Sequence, residues 1–142
     1  MNSYNAPLDD IRFVLRELVD IDRVAALQDA DALADEGLTN AILEQSARFA
    51  QEVLAPINQG GDRDGARWSV EGVQTAPGFA AAYRQFVDAG WNNIEMPAEY
   101  GGQGLPTLLC AAVKEMFVSA NKSFCFCPEL TACAVKAMVA NA

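Results

Sequence analysis

Apolar residues recur along this chain at the spacing of helix faces. Leu8, Ile11, Leu15 and Leu18 are three and four positions apart, the period that lines one side of an α-helix. Pro7 precedes them, and Asp9 and Asp10 fall in the first turn, where the positive end of the helix dipole favours acids. A polar segment from Asp22 to Glu36, with Val24 and Leu27, fits a short helix ended by Gly37. The pattern next predicts a helix from Leu38 to Leu54, with Ile42, Phe49, Ala50 and Val53 as its buried stripe. Ser46 shares that face and should bond back to the preceding turn. Pro56, lacking an N–H, is expected to stop the helix. The stretch 58–65 then reads as a polar, glycine-rich surface turn. No Lys-Ser follows its glycines and no strand leads into it, so it is not a phosphate loop.

From Trp68 to Thr75 apolar and polar residues alternate around Glu71-Gly72, which suggests a small hairpin or an extended loop. Pro77 opens the next helix, whose face is Phe79, Tyr83, Phe86 and Val87, with Gly90 as its C-terminal glycine. Residues 90–106 hold four glycines and two prolines in 17 positions. Loops of that length inside a domain are shaped for a purpose or disordered, and Trp91, Ile94, Met96, Tyr100 and Leu105 argue against disorder. A helix from Thr107 to Ala120 follows, with the stripe Leu109, Val113, Met116 and Phe117. Asn121-Lys122-Ser123 breaks it, and a last helix starts between Phe124 and Pro128. That helix is apolar around most of its circumference, the mark of one surrounded by further chain or by a partner. The fold class is therefore all-α, with about five helices and no internal repeat.

Composition narrows the chemistry. The chain has 142 residues, one domain or part of a larger one, and a net charge of −9 that disfavours nucleic acid and anionic membrane surfaces. No run of 18 apolar residues is present, so no membrane span is expected, and the first residues do not resemble a secretory signal, which makes the cytoplasm the default location. Without histidine, a Ser-His-Asp triad, a Cys-His dyad and a His-ligated metal site are excluded within the chain. Cys110, Cys125, Cys127 and Cys133 lack the paired spacing of a zinc ribbon and read as small buried hydrophobes.

Pro97-x-Glu99-Tyr100-Gly101-Gly102-x-Gly104, preceded by Phe86-Val87-Asp88-Ala89-Gly90-Trp91, resembles the loop between the early helices of the flavin-dependent acyl-CoA dehydrogenases. Tyr4-x-Ala6-Pro7-Leu8-x-Asp10-Ile11-x-Phe13, Ala55-Pro56-Ile57-Asn58, Gly61-Asp62-Arg63 and Thr75-x-Pro77-Gly78-Phe79 are similar to a long bacterial subgroup. Lys114 stands where the family often has one of a pair of acids. The resemblance implies an N-terminal extension over 1–36 and an incomplete N-terminal helical domain over 37–142, ending before a middle β domain. It also implies FAD as cofactor of the full-length enzyme, an acyl-CoA thioester as substrate, an electron-transfer flavoprotein as acceptor, and a homo-oligomer.

On the same resemblance, the catalytic carboxylate and the flavin segments would lie beyond Ala142, and the start of the last helix would wall the acyl pocket. Phe124, Pro128, Ala132 and Val135 fall on one helical face, with Cys125 beside it; the substrate-binding candidates are Phe124, Cys125, Pro128 and Ala132. Ordinary core packing is an equally compatible role. Glu95, Glu99, Glu115 and Glu129 are poor candidates for the base; Glu99 reads as a loop anchor, and Tyr100 is expected to pack its ring and bond its hydroxyl. The competing reading is a self-standing helical interaction or dimerisation module without redox activity.

Overall fold

The computed structural model describes residues 4–28 and 35–141. Leu8–Phe13 (α1) passes into a wide turn at Val14–Leu18, where the Val19 N–H reaches back five residues to the Val14 carbonyl at 2.9 Å. Ile21–Gln28 (α2) realises the start of the Asp-rich segment; residues 29–34 lie outside the described residues. Gly37 ends nothing. It sits in the first turn of the next helix, whose N-cap Asp35 accepts from the Leu38 N–H at 2.9 Å.

That helix, α3, is much longer than the pattern suggests. It runs through Glu36–Phe49, a widened turn at Ala50–Leu54 and Ala55–Asp64 without a break. Pro56 does not stop it. In the widened turn Ala55 bonds five residues back to Ala50, which resets the register, and Pro56 falls in the first turn of the segment that follows. There the missing N–H costs nothing. The expected surface turn at 58–65 is therefore helical as far as Asp64. Of its glycines, Gly61 has a packing reason: a Cβ there would lie 2.6 Å from the Phe79 ring.

The buried face of α3 is also rotated from expectation. Thr39, Leu43, Ser46, Ala47, Ala50 and Leu54 are buried, because the helices of the C-terminal third lie on that side. Ile42, Phe49 and Val53 are only partly buried. The Ser46 hydroxyl donates to the Leu43 carbonyl at 2.9 Å, as its place on a buried face requires. Ile11 and Leu15 of α1 join the same core.

The hairpin forms, with Arg67–Ser69 (β1) antiparallel to Gly72–Gln74 (β2) and Trp68 opposite Val73. Phe79–Asp88 (α4) follows; Phe86 is buried, while Tyr83 and Val87 are exposed. Gly90 terminates it in the left-handed conformation (φ 75°), which a non-glycine residue adopts only at a cost.

Helical backbone then extends over Thr107–Val139, interrupted at Asn121 (φ −159°, ψ 87°). The two parts are α5 (107–120) and α6 (122–139). The expected break is confined to Asn121, and α6 begins at Lys122, with Pro128 inside it rather than at its start. Asn121 explains both. Its side-chain oxygen accepts from the Phe124 N–H at 3.0 Å, capping α6, while its amide donates to the Leu54 carbonyl of α3 at 3.2 Å. The predicted stripe of α5, Leu109, Val113, Met116 and Phe117, is buried in full. The outer side of α6 is not covered; Phe126, Leu130 and Met138 are exposed.

Candidate functional site

Loop 90–106 folds against itself. The N–H groups of Gly102, Gln103, Gly104 and Leu105 bond to the carbonyls of Pro97, Asn93, Met96 and Ile94 at 2.8–3.1 Å. The Asn93 amide donates to the Gly101 carbonyl at 2.9 Å and the Gln103 amide to the Gly90 carbonyl at 2.8 Å. Backbone passes so close to backbone that a Cβ on Gly102 would sit 2.0 Å from the Met96 carbonyl oxygen. Ile94 and Met96 are buried beneath. Tyr100 does not anchor the loop: the residue is 62% exposed, and the amides of Asn93 and Gln103 do that work. Glu99 is exposed as well.

The four substrate-binding candidates divide between two surfaces. Cys125, Pro128 and Ala132 line one small apolar cleft of about 40 Å³, together with Trp91, Ile94 and Phe117. Positions 125, 128 and 132 are one helical face, and α6 turns that face toward α5 and the loop. Phe124 faces the other way. It packs among Phe79, Tyr83 and Phe86, with ring centroids 5.7–6.5 Å away, and borders a separate open trough of about 800 Å³ beside Phe79 and Tyr83. Phe126 is exposed, with the Lys122 ammonium 5.8 Å from its ring centroid.

The cysteines differ in the same way. Cys110 and Cys125 are buried as expected, but Cys127 and Cys133 are exposed, because they lie on the uncovered side of α6. Burial, with the Glu95 charge adding, pushes the Cys110 thiol up to about 11. Burial and Glu129 push the Cys125 thiol up to about 12. Both are therefore neutral at physiological pH and fit an apolar wall. Among the described residues no group of His, Cys, Asp and Glu could hold a metal ion.

One cluster beside the cleft escaped the sequence reading. The Glu95 side chain, 8% exposed, lies against three residues of α5 and α6. The Thr107 hydroxyl donates to it at 3.0 Å, the Lys114 ammonium at 2.9 Å, and the Lys136 ammonium pairs with it directly. Burial pushes the Glu95 carboxyl up, but the lysine hydrogen bonds outweigh it and hold the group below the usual glutamate range. Burial opposes the charge on Lys114 and Glu95 more than restores it, so that lysine is raised. In a straight helix Lys114 and Lys136 would be about 33 Å apart. That both meet one carboxylate shows how sharply the chain turns at Asn121. The one sequence signal was Lys114 itself, a base at a position where the resemblance has an acid.

Comparison with known proteins bears directly on this arrangement. Residues 38–142 match the model of the acyl-CoA dehydrogenase N-terminal domain. The chain belongs to the acyl-CoA dehydrogenase family. It is 40% identical over 136 residues to a 3-methylmercaptopropionyl-CoA dehydrogenase of Ruegeria pomeroyi, covering 96% of this chain and 23% of that protein. The chain thus spans about a quarter of the length of the curated relative it matches. The all-α expectation and the family resemblance both hold. No described helix is long and apolar enough to cross a membrane.

The loop amides at 102–105 that could cradle a phosphate are spent on loop carbonyls, and Lys114 and Lys136 on Glu95.

Proposed function

We propose that this chain supplies one wall of the acyl pocket in an FAD-dependent enzyme that oxidises the Cα–Cβ bond of an acyl-CoA thioester. The observation that carries the reading is the meeting of Cys125, Pro128 and Ala132 in one apolar cleft of a chain from this family. Ala132 leaves room, the Cys125 thiol stays neutral and Pro128 presents no donor, so this part of the wall suits an acyl tail, while Asn92, Lys114 and Glu129 also border the cleft. We place the flavin site and the catalytic base in sequence outside this chain. Glu95 is tied to two lysines and Glu115 is exposed, so neither is suited to proton abstraction. Family resemblance alone supports an electron-transfer flavoprotein as acceptor, a homo-oligomeric assembly and a cytoplasmic setting.

The relative's name makes 3-methylmercaptopropionyl-CoA the first thioester to try. The test is anaerobic addition of this and straight-chain acyl-CoA thioesters to the purified full-length protein. Bleaching of the flavin band by a short thioester is expected. A flavin-loaded protein that no acyl-CoA bleaches would sink the reading.

A further inference from the structure

Glu95 has no part in the proposed chemistry and does not contribute to the internal hydrogen bonding of its loop, yet it is among the best-partnered charges in the molecule. Its two oxygens take Thr107 and Lys114 from α5 and Lys136 from the far end of α6. Glu129 faces Lys114 from α6, so two acids and two lysines balance, and the buried Cys110 thiol is the remaining titratable group beside Glu95. Past Cys125 no residue of α6 is buried; Pro128, Ala132 and Val135 are half-buried. The helix is thus held at its start by Asn121, Phe124 and Cys125 and near its end by Lys136. The cleft residues lie between those two fastenings. The cleft is small, about 40 Å³, so a small swing of α6 changes its shape.

We propose that Glu95 is a positioning residue that clasps α6 to α5 and so sets the width of the Cys125–Pro128–Ala132 cleft, and with it the acyl selectivity. This rests on the acyl-wall reading above.

The variants are Glu95→Gln, Lys136→Met and Lys136→Arg in the full-length protein. Lys136 is partly exposed, so its loss should leave the fold intact. Amide hydrogen exchange across 128–139 should quicken about tenfold in Glu95→Gln and Lys136→Met, the scale of a lost charge-assisted hydrogen bond. It should return near the starting rate in Lys136→Arg, with α3 unchanged throughout. Glu95 is ionised at neutral pH and held below its ordinary value, so the extra protection should persist down to that value. It should vanish as pH falls through the lowered one, and Glu95→Gln should show no such step. The ratio of kcat/KM between longer and shorter thioesters should shift several-fold in Glu95→Gln, through KM rather than kcat. Unchanged exchange in both Glu95→Gln and Lys136→Met overturns the clasp. Faster exchange with an unchanged ratio overturns its role in selectivity. A protein that oxidises no thioester fails the acyl-wall reading, while exchange still judges the clasp.

Discussion

At the scale of single residues, Asn121 does two jobs with one side chain. It is fully buried, caps α6 and satisfies a carbonyl of α3. Asn121→Ala should leave the Leu54 carbonyl and the Phe124 N–H unmet, for a loss of about 2–4 kcal/mol in urea denaturation. Two glycines should respond in opposite ways. Gly102→Ala drives a methyl into the Met96 carbonyl and should destabilise strongly. A Cβ on Gly60, inside α3, meets nothing within 4 Å, so Gly60→Ala should stabilise by about 0.5–1 kcal/mol. Thermal melts of the two variants side by side check both. The thiols offer a third comparison. Maleimide at pH 8 should label exposed Cys127 and Cys133 and spare Cys110 and Cys125, whose thiols are pushed up to about 11 and about 12. Peptide mapping across these residues should find Cys127 and Cys133 labelled in the native protein and all four labelled in denaturant.

At the scale of elements, periodicity found each helix but misjudged where helices pause. The stripe of α5 was legible because Leu109, Val113, Met116 and Phe117 face one packed neighbour. The continuity of α3 was not, because a widened turn that shelters Pro56 has no signature in composition. The buried face of α3 was misread in part: Ser46 and Ala50 are buried as expected, but Phe49 and Ile42, more apolar than Ala47 and Thr39, are only partly so, because tertiary neighbours decide the matter. The Glu95 cluster joins residues 12, 19 and 41 positions apart, beyond the reach of any local pattern. Its contribution to stability has a definite pH window. Glu95, held below its ordinary 4.5, contributes above that value and ceases to as pH falls through the lowered one. Lys114, raised above its ordinary 10.5, contributes below that value and ceases to as pH rises through the raised one. The difference in Tm between the natural protein and Glu95→Gln should be flat between those limits and shrink outside them.

At the scale of the whole molecule, α3 and α5 form the packed centre, and α6 lies across it with its outer side bare. The family was legible because an ordered series of short motifs spans nearly the whole chain. The geometry of the candidate wall was partly legible. Helical spacing put Phe124, Pro128, Ala132 and Val135 on one face with Cys125 beside it; Cys125, Pro128 and Ala132 do line one cleft, but Phe124 belongs to an aromatic cluster on the far side of α6, a division that only the direction of packing reveals. The most direct measurement is acyl-chain selectivity of the full-length enzyme carrying Ala132→Phe. If this face touches the acyl tail, KM for the longest accepted thioester should rise about tenfold or more, with flavin content and turnover of the shortest unchanged. Equal kinetics for every chain length, with flavin still bound, would contradict the account.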